Sequence, residues 1–328
     1  PPMLSLYVPS PAGLQRLDPT PAAVPEQLLW ADLVEPTLDE EKEVERFVGI
    51  EVPTREEMKE IEASNRLYEE DGALYMTLTV VTKIDTERPE TAAITFILAK
   101  GRLITLRYVD PLPFRKYISY AERHVSTCGS SLVLFAGLLE SIVERIADVL
   151  ERVGNDLDDA SANVFAAPAA KRKANRVNRD LRAMMERIGR DGDLLSKARE
   201  SLVSLTRLLA FVQQSGSVQL APDVRNRFRN LSRDAMALSD HASFVSNKIN
   251  FLLDATLGLI NIEQNAIIKI FSVAAVVFLP PTLIASIYGM NFEHMPELAW
   301  RGGYPWALLL MVISAILPFL YFKRRGWL

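Results

Sequence analysis

The chain has 328 residues, with 37 Lys and Arg against 41 Asp and Glu, a net charge of −4 and 49% hydrophobic residues. So small a net charge gives no argument for nucleic-acid binding, and no glycine-rich loop is present to cradle a nucleotide phosphate. Cys128 is the single cysteine, so no intrachain disulfide can form, and His124, His241 and His294 are too dispersed for metal-ligand spacing.

Residues 1–15 lack a basic stretch followed by an apolar core, and no secretory signal is expected there. The first part of the chain reads as mixed α/β. Met3 to Val8 and Leu28 to Val34 are strand candidates, and Leu74 to Lys83 is rich in the Leu, Val, Thr and Tyr that favour strands. Ala92 to Leu98 and Arg102 to Tyr108 flank Lys100-Gly101, a hairpin signal. Thr37-Leu38-Asp39-Glu40 and Thr54-Arg55-Glu56-Glu57 have capping-box spacing and predict two short helices. Pro111 and Pro113 close the strand region.

Beyond Pro113 the pattern turns helical. Leu132, Phe135, Leu138, Leu139, Ile142, Ile146, Val149, Leu150 and Val153 recur at three- and four-residue intervals, predicting a helix over residues 131–160. Pro168 breaks it, and a second helix is predicted from about Ala169 to Gln214. Ser215-Gly216-Ser217 is a turn, and Pro222 suits the first turn of a third helix. That helix meets no proline before Pro280. From Asp223 to Tyr288 it would measure about 100 Å, a stalk that needs support from other helices or copies of itself.

Ile270 to Met290 and Tyr304 to Phe322 contain no charged residue. Each run, about 30 Å as helix, matches the hydrocarbon core of a bilayer, and two such runs joined by a short loop are hard to bury in a soluble domain. Lys269 precedes the first, Lys323, Arg324 and Arg325 follow the second, and the loop between them sets Glu293 and Glu297 against Arg301. The positive-inside rule then places both termini in the cytoplasm and the loop outside. Trp300, Tyr304 and Trp306 suit one interfacial belt, Tyr321 and Trp327 the other.

At 100° per residue, Asn265, Ile268, Phe271, Ser272, Ala275, Leu279, Thr282 and Ser286 fall within about 120° of one another. This mixed stripe suits a pore wall, and it also suits helix packing through small residues. No acid lies in the span. Mg²⁺ gives up water reluctantly, so neutral amide and hydroxyl oxygens suit an ion that keeps its inner hydration shell. Large apolar rings at Ile268, Phe271 and Leu279 suit a gate that closes by excluding water. Pro280-Pro281 removes two backbone donors, and a kink or packed irregularity is expected there.

Tyr288-Gly289-Met290-Asn291, continuing through Phe292 to Leu298, and the basic ending from Tyr321 to Leu328 resemble the CorA magnesium/cobalt transporters of the two-span GxN superfamily. The resemblance implies a homopentameric funnel in the bacterial inner membrane. An α+β cytoplasmic domain with α/β/α layers occupies residues 1–128, followed by helices packing on the stalk over 129–222 and by the stalk with its first span over 223–291. A periplasmic loop (292–303), a second span (304–322) and a basic cytoplasmic tail (323–328) complete it. Gly289, Met290 and Asn291 would form the outer mouth, holding hydrated Mg²⁺ through Asn291 amide oxygens and Gly289 carbonyls. Asn265, Ile268, Phe271, Ala275, Leu279 and Thr282 match family pore positions, and Lys323, Arg324 and Arg325 a cytoplasmic basic collar. The family is closed by Mg²⁺ bound between neighbouring cytoplasmic domains, for which Asp254, Asp234, Asp240, Glu87 and Glu90 are candidates. Asp85 and the cluster Asp156, Asp158 and Asp159 are further ones.

No catalytic residue and no organic cofactor is expected, and the chain reads as a transporter rather than an enzyme. Passive influx of Mg²⁺, with Co²⁺ and Ni²⁺ also carried, is the leading reading. The alternatives are a Zn²⁺ transporter of the ZntB branch, which typically has Ile or Val where Met290 stands, and a membrane-anchored oligomeric sensor without transport.

Overall fold

The β-branched and aromatic runs of the first hundred residues form seven strands: β1 (Leu4–Ser10), β2 (Gly13–Leu17), β3 (Trp30–Val34), β4 (Leu67–Glu70), β5 (Ala73–Thr82), β6 (Glu90–Ala99) and β7 (Arg102–Arg107). They make one sheet in the order β2-β1-β3-β7-β6-β5-β4, parallel between β3 and β7 and antiparallel elsewhere. The structure is a computed structural model that describes residues 4–17, 25–60, 62–86, 88–165, 174–290 and 295–327. By its contacts the chain divides into two units, residues 1–166 with 184–252 and residues 167–183 with 253–328.

In the first unit, alternation along the strands sends side chains to two helical layers. Ile97, Ile104 and Leu106 join Val44 and Val48 of helix α1 (Leu38–Val48) in one core. On the other face Phe96 packs on Phe114 of α3 (Leu112–Ala121) and Phe135 of α4 (Ser131–Phe165), at 6.1 and 5.2 Å between ring centroids. Phe135 meets Phe228 of α6 (Pro222–Tyr288) at 5.8 Å. The strand expectations hold to within two or three residues. The two short edge strands β2 and β4 carry too few apolar residues to have been read from the sequence. Lys100 and Gly101 (φ 49° and 76°) form the expected turn, and Asp71 and Gly72 (φ 49° and 73°) form a second of the same kind between β4 and β5.

The Thr37–Glu40 capping box forms and opens α1. The carboxyl end of that helix is closed by Gly49 in the left-handed region and by Lys100 Nζ, which donates to Val48 O at 2.8 Å. Thr54 and Glu57 also exchange capping bonds, at 2.7 and 3.3 Å, but only a 3₁₀ turn over Glu57–Lys59 follows. The cap formed, yet the helix predicted behind it did not: chain leaves the turn within three residues and reaches the one-turn helix α2 (Ala63–Arg66). Beyond Met76 strand β5 loses β4 as a neighbour. There helix α5 (Ala174–Gln214) covers the edge, with Ser204 Oγ accepting the Thr79 N–H at 3.0 Å. The part of that predicted helix over residues 169–173 lies outside the described residues.

A buried polar chain crosses the parallel pair. Trp30 Nε1 donates to Thr105 Oγ1 (2.8 Å), Thr105 Oγ1 donates to Asp32 Oδ1 (2.7 Å), and Arg107 grips Asp32 with Nε and Nη2 at 3.0 and 2.8 Å. Arg107 Nη1 also donates to Val109 O and to Asp110 Oδ1, tying the end of β7 to the start of α3.

Helices α4 and α6 are clamped by a two-bond pair, Arg227 on Glu140 (2.8 and 2.5 Å), and by Lys248 on Asp158 (2.6 Å). Gly137 lets α4 approach α3, since a Cβ there would lie 2.3 Å from the Tyr117 ring. On α5, Asp191 is 8% exposed and its Oδ2 has no hydrogen-bond partner among the described residues. Burial first, and then the neighbouring Asp156 carboxylate, push its pKa up to about 6, against the weaker pull of Arg187, Arg190 and Arg152. Arg187 is itself taken by Asp156 at 2.5 Å.

A carboxyl whose folded pKa is raised gains stability on acidification. The benefit is complete below the ordinary value near 3.8 and is lost as pH rises through about 6. Asp191→Asn is therefore expected to stabilise the first unit by about 1–3 kcal/mol at pH 7–8 and by nothing below about pH 4. Thermal unfolding of the full chain in detergent across pH 4–8 checks this; a pH-independent difference between variant and parent would refute it.

Candidate functional site

Helix α6 runs for 67 residues without interruption, through Pro280 and Pro281. In the second unit it is followed by a 3₁₀ turn at Pro296–Ala299 and helix α7 (Gly303–Arg324). In both α6 and α7 the apolar window is long enough to cross a membrane, yet only 6% of it is buried. A core helix would hide such a face. Here Phe271, Phe278, Leu279 and Leu283 are all more than 60% exposed, which suits hydrocarbon and further protein but not water.

The exposure is directional. Ile267, Val273, Val277, Pro280, Pro281, Ile284 and Tyr288 are the less exposed positions and fall on one side of α6 at 100° per residue. Asn265, Ile268, Phe271, Ser272, Ala275, Leu279, Thr282 and Ser286 are all exposed and lie on the opposite face. The unit thus packs one side of its long helix and leaves the mixed polar and apolar side open. Thr282 Oγ1 donates to Phe278 O at 2.8 Å, which supplies local bonding just past the two prolines and leaves the hydroxyl lone pairs free to accept.

At the far end of the helix Gly289 N–H donates to Ala285 O at 3.0 Å and Met290 N–H to Ile287 O at 3.3 Å, so the backbone leaves the helix through a tightened last turn. A Cβ on Gly289 would lie 3.1 Å from Ala285 O, closer than most side chains tolerate. Asn291, the third residue of the expected mouth, lies outside the described residues.

The candidate regulatory acids among the described residues are not gathered into one cluster. Among the described residues no three His, Cys, Asp or Glu side chains come close enough to hold a metal. Glu90 pairs with Lys83 at 2.7 Å, and Asp85 with Arg152 at 2.9 Å and Arg145 at 3.4 Å. Asp156 and Asp158 are taken by Arg187 and Lys248. Asp234, Asp240 and Asp254 are exposed on α6. Glu87 lies outside the described residues. Lys323, Arg324 and Arg325 end α7, and Lys269 Nζ sits 5.8 Å from the centre of the Trp327 ring. Sequence reasoning missed this last contact, as it missed the Asp32–Arg107 pair, for which two opposite charges inside apolar strands were the available signal.

An α/β unit whose last long helix continues into an unburied apolar span, followed by a second apolar helix, defines a two-span membrane protein with a large soluble part. The family model described as CorA-like Mg²⁺ transporter protein matches residues 25–324. The chain belongs to the CorA family, a family of transporters and not of enzymes. It is 36% identical over 326 residues to a magnesium transport protein CorA of Pectobacterium atrosepticum, covering 99% of this chain and 100% of that one. It is 38% identical over 307 residues to a magnesium transport protein CorA of Haemophilus ducreyi, covering 93% and 94%. In fold it is similar to the complete CorA magnesium transporter of Methanocaldococcus jannaschii, with a TM-score of 0.78 at 20% identity over 100% of this chain and 99% of that one.

Proposed function

We propose that copies of this chain assemble as a homopentamer in the bacterial inner membrane and carry Mg²⁺ inward down its electrochemical gradient. The observation that carries the reading is the open face of α6: an exposed stripe of Asn265, Ser272, Thr282 and Ser286 oxygens among large apolar groups, opposite the packed face, in a chain related over its whole length to magnesium transport proteins. Exposed Met236, Phe244, Leu257 and Ile262 on the same helix favour burial against further copies.

In this reading the first span covers about residues 270–290 and the second 304–322, with 292–303 as the outer loop and both termini in the cytoplasm. Gly289, Met290 and Asn291 form the entrance, where carbonyl and amide oxygens bind the waters of the ion and leave its inner shell intact. Rings of Ile268, Phe271 and Leu279 close the pore by excluding water. Entry needs no fuel, because a divalent cation gains about 4.6 kcal/mol per 100 mV, twice the 2.3 per elementary charge. Co²⁺ and Ni²⁺ are further cargo.

Regulation by intracellular Mg²⁺ draws carboxylates from two copies, since the described residues of one chain do not gather enough of them. Asp234, Asp240 and Asp254 on α6 are the candidates from one side, with Glu87 and Glu90 from the other. Lys323, Arg324 and Arg325 form a basic collar at the inner end.

Metal uptake into proteoliposomes tests the reading. Mg²⁺ entry driven by an imposed potential alone is the expected result. Zn²⁺ entry that requires a proton gradient would replace it with the zinc-transport alternative, and absence of flux for both ions would leave a sensor.

A further inference from the structure

Helix α7 ends in a Schellman turn. Gly326 stands at φ 71°, Trp327 N–H donates to Phe322 O at 3.1 Å, and Gly326 N–H donates to Lys323 O at 3.2 Å. The apolar contact that accompanies such turns is present, with the Trp327 and Phe322 rings 5.2 Å apart. The turn gives Arg325, Gly326 and Trp327 a defined course. It brings the Trp327 ring to Lys269 of α6, the residue immediately before the first apolar run. Arg325 lies 5.6 Å from the centre of the Tyr321 ring.

Four cations are thereby gathered at one end of the two apolar helices: Lys269, Lys323, Arg324 and Arg325. All are exposed, and none has a carboxylate within ion-pair distance among the described residues. The nearest acid before Lys269 in the chain is Glu263, about 9 Å away along the helix axis. Favourable interaction with a helix carboxyl end accounts for cations in the last turn of α7. It does not account for Lys269, which lies in the interior of its helix. Among the described residues the positive charge is therefore uncompensated; it comes from two helices and is flanked by aromatic rings of the kind found at a membrane interface.

We propose that this cluster binds the phosphate of an anionic phospholipid, with Lys269 and the last-turn cations of α7 around the phosphate and the acyl chains along the exposed apolar faces of the two helices. A lipid is favoured over a soluble anion because the cations sit where the unburied apolar runs begin and end, so one molecule satisfies both charge and apolar surface. The inference rests on the reading that α6 and α7 cross the bilayer.

Native mass spectrometry of the full-length protein in detergent, titrated with phosphatidylglycerol, cardiolipin or phosphatidylcholine, tests it. The two anionic lipids are expected to be retained over phosphatidylcholine. Lys269→Gln and Arg325→Gln should each reduce their retention about fivefold, while Lys269→Arg and, at the opposite end of the helices, Arg301→Gln leave it unchanged. The same spectra report the mass of the assembly, so a variant that fails to assemble is recognised and Lys269→Arg carries the comparison. Equal retention of all three lipids, or full retention by both glutamine variants, would overturn the site. Displacement of bound lipid by millimolar inorganic phosphate would assign the cluster to a free anion and overturn it too. A chain recovered outside the membrane fraction would instead overturn the transport reading, whereas membrane insertion without headgroup preference defeats the lipid site alone.

Discussion

Arg107→Ala is expected to destabilise the α/β unit by about 3–5 kcal/mol, the cost of stripping one partner from a buried ion pair. The side chains of Arg107 and Asp32 are 5% and 2% exposed and meet through two parallel bonds. Burial works against the guanidinium charge, but the Asp32 and Asp110 carboxylates together more than offset it and raise the Arg107 pKa above its ordinary value. Without Arg107 the Asp32 carboxylate keeps, among the described residues, only the Thr105 hydroxyl as a side-chain donor, and the links to Val109 O and Asp110 vanish with it. Replacing both charges by leucine should cost much less than either single truncation, because no unpaired charge is then left inside. Hydrogen exchange of the β3 and β7 amides in the full chain reads the effect. Unchanged exchange in Arg107→Ala, or a double variant as unstable as the single one, would show that the pair contributes little.

Asn291→Ala is expected to lower the initial rate of Mg²⁺ uptake about tenfold or more while the assembly still forms. The run from Ile270 to Met290 holds no carboxylate, so in the proposed pore a hydrated cation at its outer end would depend on neutral oxygens. A hydrogen bond to a charged partner contributes about 1.5–3 kcal/mol, a factor of roughly 10–150 in binding. In the proposed assembly a ring of amides at this position would supply several such bonds to the ion's waters. Proteoliposomes with an imposed potential give the rate, and the mass of the purified assembly guards against misfolding. Uptake within twofold of the parent would remove Asn291 from the entrance.

Local signals read well from the sequence. Lys100-Gly101 marks its hairpin because a two-residue turn of that hand requires positive φ at both positions. Asp71-Gly72 carries the same signal and went unread, because the strands it joins include β4, a four-residue edge strand with two glutamates. The second capping box illustrates the opposite failure. Thr54 and Glu57 bond as their spacing predicts, but a cap satisfies only the first turn and cannot supply the apolar face that would hold further turns in place. For the site, helical period alone grouped Asn265 to Ser286 on one stripe, and that stripe was equally compatible with helix packing.

Hydropathy, period and terminal charge act over one or two turns of chain. Sequence by itself therefore settled two apolar segments of bilayer length, a long uninterrupted helix before them, the α/β character of the first part and the kinship with the CorA family. Only the tertiary structure decided which face of α6 is packed and which is left open, since that depends on what surrounds the helix and not on its own residues. The same holds for Asp32 with Arg107, 75 residues apart, for the Asp191 Oδ2 that finds no hydrogen-bond partner among the described residues, and for Lys269 against Trp327. Each arises where distant segments meet and water is displaced, and no local pattern encodes the partner a buried charge will find, or lack.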